Sequence, residues 1–379
     1  MTDPIPFFDG HNDFLLRLQK APNQREELWL GEMGVGHLDL KRMKQAGFAG
    51  GLFAIYVPSI RSGPASDFQA LMAKAPFEVP LPNLMTHDQA QPVALTMAGL
   101  LHWMERAAPD DFTVCRGASA VRAAFKSGKI AGVMHMEGAE AIGPDLDALY
   151  LFYDMGLRSL GPVWSRPTVF GHGVPFKFPG DPDIGPGLTD AGKALVRLCN
   201  ELGILIDLSH MNQAGFDDVA RLSTAPLVAT HSNVHALCAS PRNLTDRQLD
   251  QIRDTSGMVG LNFATSFLRE DGMASPDLGL DVMLRHLDYL IEKLGEDHVG
   301  LGSDFDGCTV PNPIKDVTGV PNLFRALADH GYDAALLAKL ARDNWLSCLD
   351  RSLKAYGFAL TAPGGRRPPR SSGRPWMVT

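Results

Sequence analysis

The sequence has no CxxC pair, no long apolar run and no excess of basic residues. Its five cysteines (Cys115, Cys199, Cys238, Cys308 and Cys348) are scattered and odd in number. That pattern argues against a cysteine-based zinc site and suits a reduced, intracellular chain. No apolar stretch approaches the roughly 20 residues that cross a bilayer, and the N-terminus lacks a basic segment followed by an apolar one. Neither a membrane span nor a leader is therefore expected, and the expected location is the cytoplasm. The net charge is −8, and the last nineteen residues carry four arginines without an acid, so the body is near −12. A surface of that sign speaks against a nucleic-acid partner. It leaves room for a small anionic substrate, which needs only a local cation.

What the 379 residues do have is an ample apolar fraction, 45%, arranged in short and often β-branched runs. Eight of these read as strands: 7–13, 49–57, 130–138, 157–165, 202–210, 225–232, 257–263 and 298–305. Near-continuous hydrophobicity in each means burial on both faces, as in a parallel sheet. Helical patterns lie between them. TDAGKALVRLCNELG (189–203) opens on Thr189 as an N-cap and closes on glycine, and LDVMLRHLDYLIEKLG (280–295) also ends in glycine. Eight strands alternating with helices predict a single (β/α)₈ TIM barrel over residues 1–360. A doubly wound open sheet shares these local patterns. Two excursions break the repeat, a proline-rich one at 58–82 and a Gly/Pro-rich one at 166–188, and both are expected to shape a pocket on the catalytic face. The Pro/Gly/Arg-rich tail, 361–379, reads as flexible.

The polar residues fall at one end of these strands. His11 and Asp13 end the first, Glu137 the third, His210 the fifth, His231 the sixth, and Asp304 with Asp306 the eighth. Barrel enzymes place their chemistry at the C-terminal ends of the strands. Each residue also has a plain explanation: a lone histidine after a strand is commonly a hydrogen-bonded loop residue, Asp13 or Asp306 serves as a helix cap, Glu137 and Glu140 are solvated, and Arg242 is a surface arginine. Closing a barrel changes the balance, because it gathers five scattered strand ends into one mouth. Three histidines and several carboxylates in an apolar cavity are costly unless they hold a metal. The set exceeds one tetrahedral site and suits two ions, with Glu137 as the natural bridge. Nitrogen and oxygen ligands without thiolate suit zinc better than manganese or iron. Such a pair is machinery for hydrolysing an amide or ester. His135, two residues before Glu137, is read as structural, as are His87, His102, His286, His298 and His330.

Five motifs in order, DGHND (9–13), MEGAEAI (136–142), IDLSH (206–210), ATHSNVHALCASPRN (229–243) and GLGSDFDG (300–307), resemble the membrane (renal) dipeptidase family of the amidohydrolase superfamily. The likeness continues into DNW (343–345) of the final helix. It implies that His11 and Asp13 bind a first zinc, that Glu137 bridges, and that His210 and His231 bind a second. It further implies that Arg242 pairs with the substrate's terminal carboxylate, a group that a guanidinium fork fits. Asp304 becomes the proton shuttle, Asp306 a structural acid and Asp9 a supporting group. The implied activity is hydrolysis of free dipeptides, L-Xaa-D-Xaa among them, by a homodimer.

One position departs from the resemblance. Where renal members carry a histidine after the fourth strand, thought to bind substrate and stabilise the oxyanion, this chain has Trp164. An indole N–H donates one hydrogen bond but cannot titrate. His172, just beyond in FGHG, is a candidate to fold back in its place. Two other readings are open: a different amidohydrolase acting on a lactone, cyclic imide or deaminase substrate, and a metal-binding barrel disabled by Trp164. Many such relatives bridge their metals with a lysine after the fourth strand, which LRSLGPVWSR lacks.

Overall fold

The computed structural model describes residues 4–59 and 68–353; the tail read as flexible, 361–379, lies outside them. Eight parallel strands run in chain order around a ring: Phe7–Asn12, Phe48–Tyr56, Ile130–Glu137, Leu157–Gly161, Leu205–Ile206, Val228–Ala229, Met258–Leu261 and Val299–Leu301. The eighth pairs with the first through Asp9 and Leu301. Between the fifth and sixth, a parallel bridge joins Asp207 to Val228, and Leu208 N donates to Val228 O at 2.8 Å. The expected barrel is thus the observed one, and every residue of the first strand is buried.

The fifth and sixth ladders are only two residues long, well short of the expected runs. Their C-terminal halves leave the ladder because side chains take over the backbone donors. Asp207 Oδ1 accepts from both Ser209 N and Thr230 N, and His210 adopts φ +67°.

Two features were not expected. A short strand, Phe112–Cys115, pairs with the first half of the third barrel strand, before the fourth strand takes over that edge at Met134. A second small sheet, Phe77–Glu78 against Lys177–Phe178, ties the two excursions together above the mouth.

The helices follow their sequence signals. Thr189 caps Asp190–Leu202 by accepting from Gly192 N at 3.0 Å, and Gly203 ends it at φ +72°. The DNW segment anchors the final helix beneath the barrel. Asn344 Nδ2 donates to Val299 O at 2.7 Å, and Trp345 Nε1 to Leu301 O at 2.9 Å. Gly10 makes room for that indole: a Cβ there would stand 2.3 Å from the Trp345 ring. Among the described residues no helix is long and apolar enough to cross a membrane.

Candidate metal centre

At the C-terminal end of the barrel, Glu137 turns its two carboxylate oxygens to two different groups of side chains. Oε1 lies 2.9 Å from His210 Nε2 and 3.4 Å from His231 Nε2, and those nitrogens are 3.2 Å apart. Oε2 lies 3.8 Å from His11 Nε2, which is 3.7 Å from Asp13 Oδ2. Ligands 2.0–2.1 Å from a tetrahedral zinc stand roughly 3.3 Å from one another. The second group, at 2.9–3.4 Å, has that spacing, and the first is somewhat wider at 3.7–3.8 Å. His11 also groups with His231 and Glu137 as a candidate metal cluster.

His11 and Asp13 also lack other partners for several of their polar atoms. Both ring nitrogens of His11 and Oδ1 of Asp13 are buried without a hydrogen bond. Asp13 sits at the N-cap position of the helix Phe14–Lys20, yet its side chain makes no cap bond. Unpaired buried polar atoms are costly, and a cation held by one His11 nitrogen and the Asp13 carboxylate would satisfy both side chains at once.

Neighbouring hydroxyls fix the two histidines of the second group. Ser165 Oγ is 2.8 Å from His210 Nδ1. Thr230 Oγ1 donates to Asp207 Oδ2 at 2.6 Å and therefore accepts from His231 Nδ1, 2.8 Å away. With Nδ1 engaged, Nε2 of each ring is free to ligate. Burial, with the positive charges of Arg242 and His11, holds both imidazoles well below their ordinary pKa, so they are neutral, as ligands must be. His11 behaves differently. Burial opposes its charge, but Glu137, Asp13 and Asp304 outweigh it and hold the pKa up at about 10. The acids around His11 thus favour positive charge at this point of the site.

Asp304 stands at φ +59°, a strained conformation for a non-glycine residue and one concentrated at functional sites. Its Oδ2 accepts from Asn262 Nδ2 at 2.9 Å. Burial, reinforced by the Asp13 carboxylate, raises its pKa to about 6. Gly307 of the DFDG turn admits both acids: a Cβ there would be 2.1 Å from Asp13 Oδ2 and 2.4 Å from Asp304 Oδ1. Asp306 points away, accepting from His37 N at 2.7 Å and pairing with Arg17 at 3.3 Å. Asp9 is likewise structural, holding Ser303 N at 2.7 Å and Ser303 Oγ at 2.8 Å.

Above this floor opens a cavity of about 700 Å³, walled by Tyr56, Trp164, Phe176 and Phe267. The Trp164 ring is 5.0 Å from Tyr56, 5.4 Å from Phe176 and 5.8 Å from His210. Arg242 lies behind that wall, its guanidinium 5.2 Å from the Phe267 ring. It reaches His231 O at 3.2 Å and Ser232 Oγ at 3.4 Å, while its Nε is buried without a partner.

The structure also places the remaining candidates. Glu140 is not solvated but buried, paired with a fully buried Arg166 at 2.7 Å. His172 does not line the cavity; its backbone carbonyl receives Asn212 N at 3.3 Å. His135, read as structural, binds Ser159 Oγ at 2.8 Å, and its Nε2 stands 3.6 Å from Asp207 without a hydrogen bond. Asn262, Ser165, Thr230 and Tyr56 escaped notice, although Asn262 also follows an apolar run. The same strand-end rule applied to every polar residue finds it.

A (β/α)₈ barrel with histidines and carboxylates converging at its C-terminal mouth is the architecture of a metal-dependent hydrolase. The sequence profile of the membrane dipeptidase family, peptidase family M19, matches residues 1–355, and the chain belongs to that family. A metallopeptidase from Rhodobacter sphaeroides, solved with a phosphinate mimic of the dipeptide L-Ala-D-Ala, is 64% identical, with a TM-score of 0.91 over 92% of this chain and 100% of its own. A dipeptidase AC of family M19 is also 64% identical, with a TM-score of 0.90 over 93% of this chain and 99% of its own. An uncharacterised protein in the pqqA 5′ region of Klebsiella pneumoniae is 50% identical over 236 residues, 62% of this chain and 87% of that protein.

Proposed function

We propose that this chain is a binuclear zinc dipeptidase that cleaves the single peptide bond of a free dipeptide. The observation that carries the reading is the division of Glu137 between two ligand groups, in a chain of this family. His11 and Asp13 with Glu137 Oε2 would hold one zinc; His210 and His231 with Glu137 Oε1 would hold the other. When bound, such a pair supplies Lewis acidity toward the scissile carbonyl and an acidified water at neutral pH.

The protein's own groups complete the chemistry. Asp304, oriented by Asn262, takes a proton from the attacking water and delivers it to the leaving amine. The family resemblance supports Arg242 as the partner of the substrate's terminal carboxylate; its guanidinium lies just behind the Phe267 wall with Nε unpaired. The aromatic wall and the small sheet joining the two excursions exclude water and longer peptides. The mimic bound by the Rhodobacter relative supports a D-residue at the C-terminal position. Unpaired thiols throughout support a cytoplasmic setting. Residues 1–360 act as one catalytic domain, and the family resemblance supports a homodimer.

A panel of L,L and L,D dipeptides, free and amidated, tests the reading. Free L,D dipeptides are expected to be hydrolysed and their amides poorly. Equal turnover of amidated substrates would remove Arg242 as the carboxylate clamp. No turnover of any dipeptide would remove the assignment.

A further inference from the structure

The renal histidine is replaced by Trp164, and His172 stays out of the mouth. A tetrahedral oxyanion therefore lacks the titratable side-chain donor that the family resemblance assigns to it, and keeps at most the indole N–H of Trp164 from that position. The second strand supplies another. Tyr56 is its last residue, and its Cα is in register with that of Glu137 on the neighbouring parallel strand. Registered residues on parallel neighbours carry their side chains on the same face. The Tyr56 ring thus rises into the mouth beside the bridging carboxylate, and it lines the cavity together with Glu137, Asp13 and Asp304.

Two further observations separate this tyrosine from a plain aromatic wall. Among the described residues its hydroxyl makes no hydrogen bond, although burial favours keeping the proton on it. Tyr56 is only partly buried and borders the cavity, so a ligand seated there can serve as the acceptor. The backbone just beyond it is also clamped. Arg166, neutralised by Glu140, donates to Val57 O at 3.0 Å and to Ser59 Oγ at 2.7 Å. The same guanidinium lies 5.6 Å from the Trp164 ring. Tyr56 is therefore a rigidly mounted donor without an acceptor, next to the reacting centre.

We propose that Tyr56 is a catalytic residue whose hydroxyl donates a hydrogen bond to the scissile carbonyl oxygen as that oxygen becomes an anion, in place of the histidine displaced by Trp164. The inference rests on the dipeptidase reading above. The phenol keeps its proton throughout. When the C–N bond breaks and the carbonyl re-forms, the amine's proton comes from Asp304.

The test compares the wild type with Tyr56→Phe and Trp164→Phe, each loaded with zinc, on L-Ala-D-Ala and on a phosphinate dipeptide that presents an anionic tetrahedral oxygen. Tyr56→Phe is expected to lose about 10²-fold in kcat, the usual loss for one oxyanion donor. Its KM should stay within about threefold and its metal content should be unchanged. Phosphinate inhibition should weaken in parallel with kcat/KM, a response that a merely structural wall residue would not give. Trp164→Phe should change KM more than kcat. A Tyr56→Phe kcat within about threefold of wild type, or a loss carried by KM alone, overturns the proposal while leaving the dipeptidase reading intact. A wild type inactive on every free dipeptide overturns both.

Discussion

Glu137 Oε1 lies 2.9 Å from His210 Nε2, while the other oxygen of the same carboxylate faces His11. One side chain on the third strand thus stands between histidines at the ends of the first and fifth strands, which the ring places on either side of it. The arrangement is stable only with positive charge on both sides of the carboxylate.

Asp304→Asn removes a proton acceptor but keeps the shape of the side chain and its neighbour Asn262. The variant is expected to bind metal as the wild type does and to lose 10²- to 10⁴-fold in kcat. Steady-state kinetics alongside metal analysis checks this, and near-normal turnover would remove Asp304 from the mechanism.

Ser165→Ala frees His210 Nδ1 from its 2.8 Å partner and lets the ring rotate or change tautomer. Loss of such a supporting bond typically costs 10- to 100-fold in metal affinity or activity. Competition with a chelator of known affinity measures it. Unchanged metal affinity together with unchanged activity would show that the hydroxyl does not hold the ring.

Glu140→Ala leaves the Arg166 guanidinium buried and uncompensated. Breaking a buried pair in this way costs about 3–5 kcal/mol. The midpoint of urea unfolding should fall accordingly. A double variant, Glu140→Leu with Arg166→Met, should be less damaging than Glu140→Ala alone, because no unpaired charge remains.

His286 supplies a pH dependence that is independent of the metal centre. Its ring accepts from Val234 N at 3.2 Å and lies 3.0 Å from Leu268 O. Burial pushes its pKa down to about 4 from an ordinary 6.5. The unfolded chain therefore takes up this proton near pH 6.5 while the folded chain resists it until about pH 4. The stabilisation is complete above pH 6.5 and is lost as the pH falls toward 4, amounting to about 2 kcal/mol between pH 7 and pH 5. His286→Gln should be less stable at pH 7, but its stability should fall about 2 kcal/mol less over that interval. Equal pH slopes in denaturant titrations would contradict this.

Much of the barrel was legible because its strands are buried on both faces and read as apolar runs, while Thr189 and Gly203 mark helix ends by local chemistry. His11, Asp13, Glu137, His210 and His231 were legible because they interrupt such runs at one end. What local pattern hides is long-range pairing. Glu140 looked solvated because its partner Arg166 is 26 residues away. The strand Phe112–Cys115 is short, half-buried and flanked by polar residues, and it exists only because the edge of the third strand is free there. The small sheet between residues 77 and 178 joins two loops that carry no periodic signal. Tyr56 lies inside an apolar run and carries no local signal; only its register with Glu137 brings it to the mouth.

The central claim is that Glu137 bridges two metal ions, and counting them tests it most directly. Metal analysis of the purified chain, followed by stepwise zinc addition to chelated protein, should give about two equivalents per chain, with dipeptide hydrolysis reaching full rate only as the second is filled. Full activity at one equivalent, or no bound metal in an active protein, would contradict the account.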